Sequence, residues 1–447
     1  MGMTITEKIL AKHAGRDQVV PGENVWVDID VLMTHDVCGP GTIGAFAEQF
    51  GPEAKVWDPD RVVIIPDHYI FTADAKAHRN IEILRQFVAQ QGLRHYYDPS
   101  FVQGEGMPEP YDDPTDTSYQ GVCHTVLPEL GHARPGEVVL GTDSHTCTAG
   151  AFGAVATGIG NTEAGFVLGT GKLWLKVPAT IRLVLDGPMP PYVMAKDLIL
   201  RIIGDLGVAG AAYRALEFAG SGIAGMNLDE RMTLCNMAIE AGGKNGVVAA
   251  DEVTADYVRS RTDVAFECVS SDPDASYLAE HRYDVSSAEP VVAQPHAPDR
   301  VASAAQLAGT KLDRAYIGSC TGGKITDFEA AARILSGRRV KIDTFCVPAN
   351  TRVDAALSRL TYNGKSLRGI LEDAGCQIGP ASCAACLGGP EDTFGRANSG
   401  IRVISATNRN FPGRMGSPDA EIFLASPMTV AAAGVTGYIT DPRELLA

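Results

Sequence analysis

Short apolar runs that alternate with helical patterns are the feature that most constrains the fold of this chain. The runs are typical of buried strands in parallel sheets, and they are Arg61–Pro66, Glu137–Gly141, Ile181–Leu185, Arg314–Gly318, Val340–Val347 and Ile401–Ala406. Apolar residues recur at helical spacing in Asp327–Leu335, Arg352–Leu360 and Ser366–Ala374, and Gly375 suits a helix C-cap. Strands that alternate with helices predict an α/β fold.

Polar clusters come directly after four of the predicted strands. They are Asp67-His68, Asp143-Ser144-His145, Ser319-Cys320 and Asn408-Arg409. Ligands of α/β sheets bind outside the carboxyl ends of the strands. The sequence therefore predicts one composite site built from both halves of the chain.

The charge balance limits the classes of partner. The chain has 447 residues, with 54 acidic and 38 basic side chains and a net charge of −16. No basic tract is present, so nucleic acid is not an expected partner. An anionic substrate would need local arginine or lysine side chains, or a metal, to overcome this negative field.

The N-terminal segment and the hydropathy indicate a protein without a membrane anchor. No apolar run is long enough to span a membrane. Thr4 followed by Glu7 predicts a helix N-cap, and the segment is too polar for a signal peptide. We therefore expect a cytoplasmic protein whose ten cysteines are thiols or metal ligands rather than disulfides.

Two segments have the composition of loops. Asp98–Gln120, with its acidic stretch at 101–117, is rich in Pro, Gly and Asp, and we favour an exposed insertion over a lid. Val285–Asp299 has the composition of an interdomain linker. We place a domain boundary there.

The cysteine spacing leaves three interpretations open. Cys383 and Cys386 form a CxxC motif, and Cys320 lies upstream between glycines. Three thiolates on such turns could hold an iron–sulfur cluster with one iron free of protein ligands. A zinc site and ordinary buried thiols are the alternatives.

Histidines and arginines supply two further candidate groups. A carboxylate that contacts an imidazole fixes its tautomer and raises its basicity. Because neighbouring side chains on an extended segment point apart, the pair Asp67-His68 and the group Asp143-Ser144-His145 should each need partners from elsewhere. Arg409 and Arg414 could clamp carboxylates. In Arg231–Glu240, read as one buried helix, Asn236 and Glu240 would share a face.

The motifs together are similar to those of the aconitase superfamily, and specifically to its dehydratase large subunits. The resemblance runs over essentially the whole chain. The matching segments are Leu32–Val37, Pro66–His68, Gly121–His124, Gly141–Thr146, Cys235–Met237 with Glu240, Gly318–Gly323, Cys383–Gly388, Thr407–Gly416, Ala425–Pro427 and Gly437–Pro442.

This resemblance implies a fold, a cofactor and a set of roles. We expect three α/β domains with central parallel sheets around a [4Fe–4S] cluster, without the family's swivelling fourth domain: residues 1–290 would form the first two domains and 291–447 the third. One cluster per subunit would have the ligands Cys320, Cys383 and Cys386. The expected catalytic residues are Asp67, His68, His124, Asp143, His145 and Glu240. The expected substrate-binding residues are His35, Ser144, Asn236, Asn408, Arg409 and Arg414.

The resemblance also implies a partner and a reaction. A separate small subunit would bring the swivelling domain and a serine that acts as catalytic base, and this chain alone would be inactive. The substrate would be a malate-type diacid, isomerised by dehydration and rehydration. 2-Isopropylmalate is the expected substrate; homoaconitate, dimethylmalate and aryl-substituted malates remain open. The competing classes are a regulatory RNA-binding protein, which the negative charge disfavours, and a zinc-dependent hydrolase.

Overall fold

The computed structural model describes residues 2–99 and 118–446. The acidic insertion predicted at 101–117 lies outside these residues. The strands are β1 Asn24–Asp28, β2 Val31–Thr34, β3 Val62–Ile64, β4 His95–Tyr96, β5 Val138–Gly141, β6 Val155–Gly158, β7 Lys172–Lys176, β8 Ala179–Asp186, β9 Arg214–Ala219, β10 Asn245–Val248, β11 Ala279–Asp284, β12 Val291–Ala293, β13 Val301–Ser303, β14 Arg314–Ile317, β15 Asp343–Cys346, β16 Thr361–Tyr362, β17 Lys365–Ser366, β18 Gln377–Ile378, β19 Arg402–Ser405 and β20 Glu421–Ala425.

Helices separate most of these strands, as the sequence pattern predicts. They are α1 Ile5–His13, α2 Gly39–Phe50, α3 Ala75–Gln91, α4 Cys123–Glu129, α5 Asn161–Thr170, α6 Ala195–Leu206, α7 Ser221–Ala224, α8 Leu228–Asn236, α9 Glu252–Arg259, α10 Ile325–Leu335, α11 Thr351–Arg359, α12 Leu367–Ala374 and α13 Pro427–Thr436. The predicted N-cap of α1 is confirmed, because Thr4 and Glu7 form a capping box. Among the described residues, no helix combines the length and the apolarity that a bilayer span requires.

Three larger sheets contain most of the strands. The first has the order β4-β3-β2-β5-β6 and the second has the order β10-β9-β8-β11, and all strand pairs in both are parallel. The third has the order β13-β12-β20-β19-β14-β15-β18. Its β12 pairs antiparallel with β13 and β20, and its remaining pairs are parallel. The α/β prediction is confirmed.

The first sheet is buried on both faces, which explains why its strands are continuously apolar. In β2, Val31 and Met33 enter the core that also contains β8, whereas Leu32 enters a second core together with residues of α1, α2 and α5. The strands that lead to the site are thus packed on both faces.

The segment predicted as a linker contains regular structure. Val285–Ser287 form a 3-10 turn, and Val291–Ala293 form β12, which pairs with β20 and β13. The linker interpretation is therefore wrong for Val291–Ala293. The division of the chain into 1–290 and 291–447 stays a prediction, although β12–β15 and β18–β20 all belong to the third sheet.

Candidate active site

The carboxyl ends of the central strands deliver the predicted site residues. His35 follows β2, Asp67 and His68 follow β3, and Asp143 follows β5. The rings of His35 and His68 lie 4.4 Å apart between centroids. The predicted convergence of these strand ends is therefore present.

Asp67 and His68 contact each other directly. Asp67 Oδ1 lies 2.6 Å from His68 Nδ1, and both side chains are buried. The expected opposite orientation of the two side chains was wrong, because the chain bends at His68 and Tyr69 instead of continuing as an extended strand. Partners from elsewhere are nevertheless present, since Cys123 N donates to Asp67 Oδ2 at 2.7 Å. Burial alone would lower the pKa of His68, but the charge and hydrogen bond of Asp67 raise it to about 10. The contact with Asp67 therefore favours the protonated form of His68.

Asp143 is the centre of the histidine group. Its carboxylate lies 2.8 Å from His124 Nε2, 3.4 Å from His145 Nδ1 and 3.6 Å from His68 Nε2. Burial opposes ionisation of this carboxyl, but the two nearer imidazoles hold its pKa well below the usual range. Gly158 permits the approach of the neighbouring backbone, since a Cβ there would stand 2.6 Å from the Asp143 carbonyl oxygen.

Glu240 joins the histidine group to the arginine segment. Its Oε1 lies 2.8 Å from His145 Nε2 and accepts a hydrogen bond of 2.8 Å from Arg409 Nε. Arg409 Nη1 also donates to Ser144 Oγ at 2.9 Å. Burial raises the pKa of Glu240, yet the bonds from His145 and Arg409 leave it below the ordinary value. The result is a continuous chain from Asp143 to Arg409.

The segment Arg231–Glu240 is not one helix. α8 ends at Asn236, and a 3-10 turn, Met237–Ala241, carries Glu240. The predicted shared face was therefore wrong. Asn236 turns to Cys320, donating from Nδ2 to Sγ at 3.1 Å, whereas Glu240 turns to His145.

The three predicted cysteine ligands meet in a buried group. Cys320, Cys383 and Cys386 share one small cluster with Val122 and Ala349. Cys320 follows β14 and is preceded by Ser319, whose φ of 74° lies in the left-handed region. Cys383 is the N-cap of the 3-10 turn Ala384–Leu387 and Cys386 lies within that turn, with the two sulfurs 2.8 Å apart.

The electrostatics of the thiols differ. Burial and the neighbouring Cys386 raise the pKa of Cys320 to about 12. The hydrogen bond from Cys383 lowers the pKa of Cys386, and the charges of Arg414 and His68 act in the same direction. Convergent buried thiols with nearby cations and amide donors suit an iron–sulfur cluster.

Several polar atoms at the site have no hydrogen-bond partner among the described residues. They are His35 Nε2, Asn408 Oδ1 and Arg414 Nε, and all are buried. The Nδ2 of Asn408 instead faces Cys320 Sγ at 3.5 Å. Buried unpaired polar atoms are rare and costly, so these three atoms mark a place for a polar ligand.

Asp36 was missed in the sequence as a site residue. It is buried, and its carboxylate accepts from the backbone N–H groups of Asp67 (2.9 Å), His68 (3.0 Å) and Tyr69 (2.7 Å). The Asp67 carbonyl in turn accepts from Cys383 N at 3.0 Å. The available signal was its position directly after β2, where it stands beside His35.

Lys196 and Lys324 were also missed. Both are buried; Lys196 bonds Thr321, and Lys324 bonds the Cys320 carbonyl. Lys196 lies in a helix of ordinary amphipathic sequence, so the sequence carried no signal of its burial.

Comparison with known proteins places this arrangement in a family. The sequence matches the model of the Aconitase family (aconitate hydratase) over residues 7–308 and 300–437. The chain belongs to the aconitase family. Membership implies iron–sulfur cluster binding, which favours that interpretation of the cysteines over zinc.

Particular relatives match along the full length of the chain. The chloroplastic 3-isopropylmalate dehydratase large subunit of Arabidopsis thaliana is 56% identical over 452 residues, covering 100% of this chain and 87% of the relative. The 3-isopropylmalate dehydratase large subunit 1 of Methanopyrus kandleri is 43% identical, and the probable large subunit of Methanothermobacter thermautotrophicus is 44% identical; each alignment covers 100% of both chains.

Proposed function

We propose that this chain is the catalytic large subunit of a [4Fe–4S] hydro-lyase that isomerises 2-isopropylmalate to 3-isopropylmalate, a step of leucine biosynthesis. The observation that carries the proposal is the junction of two groups at one buried centre. Asn408 faces Cys320, and the adjacent Arg409 bonds Glu240 of the histidine group. The similarity to relatives that bear the 3-isopropylmalate dehydratase name supports the choice of substrate.

The cluster would be held by Cys320, Cys383 and Cys386. When bound, it supplies Lewis-acid chemistry through an iron that lacks a protein ligand. Asn236 and Asn408 point their amide groups at Cys320 Sγ, so they would orient this ligand and hydrogen-bond cluster or substrate.

Substrate carboxylates would be bound by side chains that lack a hydrogen-bond partner among the described residues or that can add the substrate to the partners they have. Arg414 offers a buried Nε without a partner among the described residues, and His35 offers Nε2 in the same way. Arg409 and Ser144 already contact each other at 2.9 Å and would close on a second carboxylate. A bidentate guanidinium suits this task because its fork matches a carboxylate.

Proton transfer would use the histidine group. The reaction needs an acid for the leaving hydroxyl, which is otherwise a poor leaving group. His68 is kept protonated by Asp67, and its Nε2 lies 3.6 Å from Asp143. His124 and His145 share the same carboxylate and can relay the proton.

The partner would be a small subunit, as the large-subunit names of the relatives suggest. We propose that it carries the swivelling domain and a serine that removes the proton α to a carboxylate. The chain alone would then bind the cluster without turning over substrate.

Anaerobic co-expression with a small subunit, followed by assays on substituted malates, tests the proposal. We expect the highest kcat/KM with isopropylmalate and no turnover by the large subunit alone. A preference for homoaconitate, dimethylmalate or aryl-substituted malates would contradict the assigned substrate. Absence of turnover with all of these substrates in the cluster-loaded complex would contradict the proposed function.

A further inference from the structure

Two lysines are buried against the loop that carries Cys320. Lys196 on α6 is 1% exposed, and Lys324, which precedes α10, is 3% exposed. Lysine is almost never fully buried unless it is paired. Their surroundings therefore indicate what balances their charge.

Lys196 ties together two loops of the site. Its Nζ donates to Thr321 Oγ1 at 3.1 Å and to the carbonyl oxygens of Ala406 at 3.1 Å and Thr407 at 2.6 Å. Thr321 follows Cys320, and Thr407 precedes Asn408. One ammonium group thus fixes the loop of a proposed cluster ligand against the loop of a proposed substrate ligand.

Lys324 has a carboxylate partner, whereas Lys196 has none among the described residues. Lys324 Nζ lies 2.9 Å from Asp327 Oδ2 and also donates to the Cys320 carbonyl at 3.1 Å. Among residues 2–99 and 118–446, no carboxylate lies within ion-pair distance of Lys196. The neighbouring Asp197 turns away and accepts from the backbone N–H groups of Met194 and Val291.

The remaining charges around Lys196 do not balance it. Lys324, Cys320, Asp327 and Glu240 act on it; the Asp327 carboxylate pairs with Lys324, and Glu240 pairs with an arginine and a histidine. The three oxygens that Lys196 Nζ contacts all act as acceptors, because Thr321 Oγ1 donates its own proton to the Ala406 carbonyl, and this suits an ammonium group with three N–H donors. An unbalanced buried cation is costly, and an anion held at Cys320, next to Thr321, would offset that cost.

We infer that Lys196 is the counter-charge of the cluster held at Cys320, a positioning residue that raises the reduction potential of the cluster and fixes the two loops. The inference rests on the proposed function. A [4Fe–4S] core with three thiolates carries net negative charge, and net charge and surrounding hydrogen bonds set its potential. Reduction adds a further negative charge, so a buried cation favours the reduced form.

The test compares Lys196→Met and Lys196→Arg with the wild type in the full-length chain, reconstituted anaerobically with its small subunit. Lys311→Met is the matched control, because Lys311 is an exposed lysine that lies just before β14 of the third sheet. Iron and sulfide content are measured first. The potential is then obtained by redox titration, with the paramagnetic reduced cluster followed by electron paramagnetic resonance.

We expect a more negative potential in Lys196→Met and potentials near the wild-type value in Lys196→Arg and Lys311→Met. An unchanged potential in Lys196→Met would overturn the inference while leaving the proposed function intact, provided that wild-type turnover persists. If Lys196→Met holds no cluster, Lys196→Arg decides: cluster binding at the wild-type potential supports the inference, and a folded but cluster-free Arg variant overturns it. A wild-type chain that binds no iron would overturn the proposed function itself.

Discussion

The two halves of the site balance their charges in opposite ways. In the histidine half (His68, His124 and His145 with Asp67, Asp143 and Glu240), each imidazole contacts a carboxylate of the same chain. In the cysteine half (Cys320, Cys383 and Cys386), the sulfurs face amides, a hydroxyl and one another. Among the described residues, no lysine or arginine bonds these sulfurs.

This difference indicates which half of the site the protein can form without a bound cofactor. The histidine half is preorganised by its own hydrogen bonds, so its geometry should not depend on a cofactor. The cysteine half gathers groups that repel one another once ionised, so it should need a metal cluster to be stable in its working form. Substitutions in the two halves should therefore have different signatures in metal content.

The largest effect is expected for Cys383→Ser in the cysteine half. Loss of one thiolate should remove the cluster, as iron and acid-labile sulfide analysis will show, and turnover should fall to background. The fold should persist, because the sulfur packs in a small satellite group and Ser is nearly isosteric. Cys268→Ser is the control, since Cys268 is an exposed thiol. Wild-type turnover by Cys383→Ser would show that Cys383 is not a cluster ligand.

In the histidine half, Asp143→Asn should lower kcat by roughly 10²–10⁴-fold with iron content unchanged. The neutral amide cannot replace the carboxylate that faces the three imidazoles, although it fits the same space. Asp256→Asn on the exposed face of α9 is the control. Loss of iron in parallel with activity would show that the two halves are not independent.

At the junction of the halves, Arg409→Lys should lower kcat/KM by about 10²–10³-fold and leave the cluster in place. An ammonium group cannot reproduce the fork that reaches Glu240 and Ser144 together. Arg402→Lys, an exposed arginine before the same loop, is the control. An unaffected kcat/KM would exclude Arg409 from substrate binding.

The smallest effect is expected for Asp36→Asn, at about 10–100-fold in kcat. An amide that replaces the carboxylate presents an NH₂ group to one of the three backbone donors of Asp67, His68 and Tyr69. His68 should shift slightly, so kcat should fall while KM changes little. Asp60→Asn, exposed on the surface, is the control, and a wild-type kcat in Asp36→Asn would contradict the positioning role.

Much of the fold could be predicted from the sequence, because buried strands appear there as short continuous runs of apolar residues. The predicted runs Glu137–Gly141 and Arg314–Gly318 correspond to β5 and β14 within one residue at each end. Since parallel strands share one carboxyl edge, the proximity of Asp67, Asp143 and His145 could also be anticipated.

The remaining features depend on local turns and on tertiary burial, which leave no period in the sequence. The direct contact of Asp67 with His68 follows from a turn after β3, and the opposite directions of Asn236 and Glu240 follow from the end of α8. The burial of Lys196 arises from loops more than a hundred positions away. The roles of the site residues stay predictions.

The central claim is that Cys320, Cys383 and Cys386 together hold a cluster whose remaining iron faces the substrate groups. A crystal structure of the anaerobically reconstituted complex tests it most directly. We expect one iron on each of these sulfurs and an iron without any protein donor beside Arg409 and Arg414. Cysteines that lie apart, or a fourth protein donor on the cluster, would contradict it.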